Sequence, residues 1–252
     1  MLAKVWSEPM RILVINPNTT AAMTAKVGEA ARAVAAPGTV IEAVNPAFGP
    51  ASIEGYFDEA FAVPGLLAEM GKAPGRDAYV IACFDDTGLD AARCATDAPV
   101  IGIGEAAFHM ASLIAGKFSV VTTLWRSVPA IEHNLVRYGL ASRCARVRAS
   151  EVPVLDLEKP GSDARARISA EIANAIRDDR AEAIVLGCAG MADLAHSLAR
   201  EHGLPVVDGA AAAVKLAEGL VSLGLKTSKH GAYALPRPKT YAGVFAPYSP
   251  AG

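Results

Sequence analysis

AIVLGCAGM (residues 183–191) is an apolar run that reaches Gly187, sets Cys188 at its end and continues into small residues. AYVIACFDDTG (78–88) follows the same plan earlier in the chain, with Cys83 at the matching place. A short, unbroken apolar run bounded by turn formers describes a strand buried on both faces. The two stretches therefore predict two central strands of parallel sheets. Each would deliver a thiol to the turn at its carboxyl end.

The surroundings of the two stretches repeat as well. Cys188 lies 105 residues after Cys83 (188 − 83). Arg11, which opens the apolar segment 11–15, precedes Cys83 by 72 residues, and Phe118, which opens 118–122, precedes Cys188 by 70. Pro99-Val100 follows the first cysteine by 16 residues, and Pro205-Val206 follows the second by 17. Further extended segments are expected at 40–44 and 147–154. Helical patterns are expected at 21–35, 56–70 (interrupted at Pro64), 88–95, 104–115, 129–138, 163–177, 191–202 and 210–223, with Thr19 or Thr20 capping the first. Strands alternating with helices in two matched halves predict an α/β protein. Its form would be two similar open parallel-sheet (flavodoxin-like) domains related by a pseudo-two-fold axis, with the active site in the cleft between them. Ligands of open parallel sheets sit outside the carboxyl ends of the strands. That rule selects four turns, at 16–19, 83–86, 122–123 and 188–190.

Composition narrows the function classes. The chain has 252 residues, 52% hydrophobic and 20% charged, enough to bury a large core. A net charge of −2, from 24 basic and 26 acidic side chains, leaves no footprint for nucleic acid or for a membrane surface. No apolar run reaches the roughly 18 residues of a membrane span. Residues 1–9 lack an apolar signal region and read as an extension outside the fold. A cytoplasmic location is expected, where thiols stay reduced. The arginines at 143–148 read as a solvated connection, and 226–252, with four prolines, as a surface tail.

Two thiols facing one another across a cleft suit one kind of chemistry. A carbon that loses a proton from one face and gains it on the other needs a base on one side and an acid on the other. A cysteine, with an ordinary pKa near 8.5, serves either role. Carbanion charge would be held at a neighbouring carbonyl by backbone N–H groups in the turns Phe84-Asp85 and Ala189-Gly190 and by the hydroxyls of Thr122 and Thr123. Cysteine is also a common small core residue, and Cys94 and Cys144, away from strand ends, are expected to be structural. Asn16 and Asn18 suit turn formation and ligand binding equally, and Asp85 and Asp86 suit helix capping as well as substrate contact. No Cys-x-x-Cys is present, and none of the five histidines stands at ligand spacing, so no metal is expected.

Together these residues carry a resemblance. INPNT at 15–19, IACFDDTGLDAAR at 81–93, PVIGIGEAA at 99–107, VVTT at 120–123 and LGCAGM at 186–191 resemble the hydantoin and allantoin racemases of the aspartate/glutamate racemase superfamily. The resemblance implies a cofactor-independent isomerase with catalytic cysteines at Cys83 and Cys188, a small-molecule substrate and a homo-oligomer. It implies that the C-terminal segment returns to the first domain, giving 10–114 with 209–252 as one unit and 115–208 as the other. Phe48, Ser52 and Ile53, in the Gly/Pro-rich loop 45–55, would add a wall of the pocket. Amino-acid racemases of the superfamily carry a Cys-Asn-Thr type motif and a histidine beside the second cysteine. Phe84-Asp85 and Ala189-Gly190 depart from both, which argues for a neutral amide ring. Hydantoin and allantoin remain equally open. Two alternatives stand beside this reading. One is an aspartate/glutamate-type racemase or other two-cysteine isomerase of a small carboxylate, and the other is a two-lobed binding protein with no catalysis.

Overall fold

The computed structural model describes residues 9–250. The extension expected at 1–9 lies outside the described residues, apart from Pro9. The first sheet contains β1 (Met10–Ile15), β2 (Thr39–Val44), β3 (Ala78–Ile81) and β4 (Val100–Gly102), all parallel, in the order β2-β1-β3-β4. The second contains β5 (Phe118–Thr122), β6 (Cys144–Ala149), β7 (Ala183–Gly187) and β8 (Val206–Val207), also parallel, in the order β6-β5-β7-β8. The two orders are the same, so β1 matches β5 and β3 matches β7, as the repeat requires. Every residue of β3 and β7 is buried, because neighbouring strands flank both edges and helices cover both faces. The outer strands β2 and β6 carry charges beside their apolar residues, as edge strands with one wet side do.

Among the described residues eight α-helices fill the connections: α1 (Ala21–Val34), α2 (Tyr56–Lys72), α3 (Leu89–Ala95), α4 (Ile103–Ile114), α5 (Val128–Arg137), α6 (Ala164–Asp179), α7 (Ala195–His202) and α8 (Gly209–Ser222). Pro64 does not interrupt α2. The helix continues through it because Ala62, Leu66 and Met70 are buried along one face, which outweighs one missing N–H. The helix expected at 191–202 is split into a 3-10 segment, Ala189–Leu194, and α7. Thr20 occupies the N-cap of α1 but does not cap it; its hydroxyl donates to the Ala51 carbonyl at 2.7 Å.

The arginines at 143–148 are not a solvated connection. They lie on and beside β6, where Val147 faces the core and Arg148 turns the other way. Arg148 donates to Asp179 at 2.6 Å and Glu171 at 2.8 Å on α6, and its side chain is only 10% exposed. The alternation of a half-buried strand, hidden by its charges, is satisfied because α6 neutralises them.

One apolar cluster crosses from sheet to sheet. It includes Val14 and Val80 of the first, Val120 and Val185 of the second, and Phe108 and Val214 from α4 and α8 between them. Phe108 packs edge-on to Phe84 and stacks on Phe118. Full burial of each such side chain is worth about 1.5–3 kcal/mol, so the lobes are joined by a common core and not by a hinge alone. Helix α8 packs on α4, α1 and β3. Beyond it the tail runs back along the first lobe: Thr227 N–H donates to Asp97 O and Thr227 Oγ1 to Ala98 O, both at 2.8 Å. On these contacts we propose the division into 10–114 with 209–250, and 115–208.

Candidate active site

The carboxyl ends of β1, β3, β5 and β7 converge on one cleft. Its empty space is about 500 Å3, counted out to open solvent, and Cys83 and Cys188 both line it. Both thiols are free and partly accessible, and charge on Cys188 is felt at Cys83. A cleft of this size suits a small molecule.

The turn after β1 is held by its own side chains. Asn16 Nδ2 donates to Asn18 Oδ1 at 2.9 Å and to Thr24 Oγ1 at 3.1 Å, and Asn18 Oδ1 accepts from Thr20 N–H at 2.9 Å. Both asparagines are thus turn formers, and both also line the cleft. Thr19 ties this turn to the loop 45–55, donating from N–H and Oγ1 to the Pro50 carbonyl at 2.9 and 3.3 Å. That tie sets Ile53 on the cleft wall. Ser52 is off the lining, and Phe48 faces a separate surface groove with Phe57 and Phe245. On the second lobe, Thr122 and Thr123 both line the cleft. Thr122 Oγ1 donates to the Gly187 carbonyl at 2.8 Å, so this hydroxyl is left as an acceptor.

The Cys83 turn is acidic. Phe84 is buried in the shared core while also bordering the cleft. Asp85 lines the cleft and accepts from Thr87 Oγ1 at 2.5 Å and Thr87 N–H at 3.2 Å. Asp86, at φ 56°, turns inward and accepts from Gly104 N–H at 2.9 Å, Glu105 N–H at 2.8 Å and Tyr138 OH at 2.8 Å. It caps α4, the helix after β4, and not the helix that follows it in sequence. A Cβ on Gly104 would collide with the Phe84 carbonyl and with Asp86, so that glycine permits the cap. Asn134 Nδ2 of α5 donates to the Asp85 carbonyl at 2.6 Å, bracing the turn from the other lobe. Burial and the neighbouring Asp85 carboxylate push the Cys83 thiol well above its usual pKa.

The Cys188 turn is small and nearly neutral. Ala189 lines the cleft, whereas Gly190 lies behind it against Leu157. The Gly190 N–H lies near enough to the Cys188 sulfur to favour its thiolate, and Lys26 reaches over from α1 to the Gly190 carbonyl at 3.3 Å and to Glu158 at 3.0 Å. Burial raises the Cys188 thiol to about 11, while the Gly190 N–H and Lys26 both favour its thiolate. Phe84 and Asp85 show no backbone N–H hydrogen bond among the described residues, and Phe84, Asp85 and Ala189 all line the cleft.

Met23, Ile131 and Val154 complete the apolar wall. Nothing in their local sequence distinguishes them from core residues. The paired glycines of GIG at 102–104 did carry a signal, since only glycine admits the Asp86 carboxylate there. Among the described residues no group of three or more His, Cys, Asp and Glu side chains is placed to hold a metal ion, and no helix is long and apolar enough to cross a membrane.

The family described as Asp/Glu/Hydantoin racemase matches residues 12–217. A hydantoin racemase from Rhizobium meliloti is 52% identical over 93% of this chain and 98% of its own length. Among solved structures, allantoin racemase from Klebsiella pneumoniae superposes with a TM-score of 0.93 at 50% identity, covering 96% of this chain and 100% of that one. Allantoin racemase from Pseudomonas fluorescens gives 0.90 at 46% identity, over 93% and 100%. The chain belongs to the Asp/Glu/hydantoin racemase family.

Proposed function

We propose that this protein racemises 5-substituted hydantoins or allantoin by two-base proton transfer between Cys83 and Cys188, without a cofactor. The observation that carries the reading is the pair of free thiols, one at the end of each matched central strand, on a single small cleft. The names of the relatives agree with it. A small carboxylate is the weaker reading: the cleft lining contains Asp85 and no Lys or Arg, and an anion would meet repulsion there.

The ring carbon between an amide nitrogen and a carbonyl is acidified by that carbonyl. Of the two sulfurs, Cys188 holds a thiolate more readily: Asp85 opposes charge on both, but at Cys188 the Gly190 N–H and Lys26 work against it. For one enantiomer, Cys188 removes the proton and the Cys83 thiol donates on the opposite face. For the other, the roles reverse. As the carbanion forms, charge moves to the carbonyl oxygen, where the N–H groups of Phe84, Asp85 and Ala189 and the Thr123 hydroxyl stabilise it. Thr122 Oγ1 accepts from a ring N–H. Asn16 and Ile53 bound the substituent.

The protein acts as a cytoplasmic homo-oligomer in this reading. The groove of Phe57, Phe61 and Phe245, with Phe57 73% exposed, is the apolar face a partner copy would cover. The test of the activity is incubation of one enantiomer of a 5-substituted hydantoin, or of allantoin, in D2O. Loss of optical rotation together with one deuterium per turnover is expected. Retained rotation with no deuterium across several such substrates would remove the proposal.

A further inference from the structure

On the far side of the Cys83 turn lies a second cavity, between α2, α3 and α5, of about 710 Å3 counted out to solvent. Asp85 is common to the linings of this cavity and of the cleft. Glu59, on α2, lines the outer cavity beside it. Glu59 Oε1 is buried and receives no N–H or O–H donor among the described residues. The carboxyls of Glu59 and Asp85 lie within hydrogen-bond range of each other. Two carboxyls can make that bond only if one carries a proton. Asp85 is in turn close enough to Cys83 to raise its thiol, and both line the cleft.

We propose that Glu59 and Asp85 form a proton-sharing pair that resets Cys83 between turnovers, exchanging its proton with water in the outer cavity. The inference rests on the two-cysteine reading above. Racemisation by two bases leaves the enzyme changed. A turnover that starts with Cys188 as thiolate ends with Cys188 protonated and Cys83 as thiolate. The starting form returns when Cys83 gains one proton and Cys188 loses one. In the relay, the one shared proton leaves Glu59, passes through Asp85 and reaches the Cys83 sulfur, and water in the outer cavity then returns a proton to Glu59. Cys188 releases its proton to water in the cleft, and the balance closes.

The titratable and charged groups facing the pair are Asp58 on α2, Asp86 and Asp90 from the turn and α3, and His133 and Arg137 from α5. Acidic neighbours and burial raise Glu59 to about 8, so it holds its proton at neutral pH and acts as the reserve acid. Among the described residues Asp85 is the acid common to the linings of this cavity and the cleft, and water in the cleft is a competing proton source for Cys83.

The test is Glu59→Gln in the full chain, with initial rates of racemisation of a 5-substituted hydantoin measured from each enantiomer as substrate rises. The expected result is a fall in kcat of tenfold or more, while kcat/KM from the enantiomer deprotonated by Cys188 stays within about threefold. Reset follows product release, so it limits only the saturated rate. Glu59→Asp, which keeps the acid, should recover at least part of kcat, and it carries the test if the glutamine chain does not fold. An unchanged kcat, or equal losses in kcat and kcat/KM, would overturn the relay. Failure of the two-cysteine reading looks different: the wild-type protein would then exchange no ring proton at all.

Discussion

Cys83 and Cys188 end equivalent strands, β3 and β7, in sheets of one strand order, yet the turns behind them differ in charge. The first turn carries Asp85 and Asp86, with Glu59 behind. The second carries Ala189 and Gly190, with Lys26 across the lobe gap. A racemase needs two groups that exchange roles, and identical surroundings would give two thiols of equal basicity. Unequal surroundings make Cys188 the easier of the two thiols to deprotonate. The difference also separates two needs. Cys188 has backbone support for a thiolate, whereas Cys83 has a proton source.

The comparison breaks most visibly through the thiols themselves. Cys83→Ser and Cys188→Ser should each reduce racemisation by about 10²–10⁴-fold, the usual size of an acid–base contribution. In D2O the two variants should retain slow exchange from opposite enantiomers. Exchange from the same enantiomer in both would mean that the sulfurs do not face opposite sides of the ring.

The bias is read by alkylation followed by peptide mapping. A thiol raised to about 11 is neutral at pH 7, and its thiolate fraction climbs about tenfold per pH unit below that value. Cys188 should therefore react with iodoacetamide before Cys83 at every pH between 7 and 10. Equal rates would put the two turns on the same electrostatic footing.

Gly104→Ala tests the acidic turn as a built structure. Its methyl would strike the Phe84 carbonyl and the Asp86 carboxylate. A loss of about 1–3 kcal/mol in urea unfolding is expected, as for overpacked interiors, with racemisation falling along with it. Tolerance of the methyl would show that the Asp86 cap moves freely. The smallest effect belongs to Lys26→Gln. Lys26 is 20% exposed and partly neutralised by Glu158, so alkylation of Cys188 should slow by only about two- to fivefold, within the range of a partly screened pair. Cys83 should not respond.

Much of this site was legible in the sequence and some of it was not. The two cysteines, Asn16, Thr122, Thr123 and Ala189 follow directly from strand ends in a repeated α/β order, and all of them line the cleft. Ser52 and Gly190 do not line it, although Gly190 reaches the site through its N–H, which lies near the Cys188 sulfur. Ile131 and Val154 do line it, and neither is near a predicted turn. Each lies on the second lobe's own structure and reaches the cleft only because the lobes pack together. The same reason hid the destination of Asp86: its donors, Gly104, Glu105 and Tyr138, are 18 to 52 residues away.

Periodicity and punctuation along the chain determined by themselves that there are two parallel-sheet halves, that each ends a central strand in a cysteine, and that the turns after β1, β3, β5 and β7 share the carboxyl side of the sheets, where they line one cleft. Those features depend on near neighbours and on burial of whole strands, which a linear pattern records. Tertiary structure alone decided how the two cysteines differ. Their pKa shifts come from Lys26, Asp85, Gly190 and burial, and the proton source behind Cys83 depends on α2 meeting the turn after β3. Electrostatic energy follows distance through space, and no pattern along one strand of sequence contains that distance.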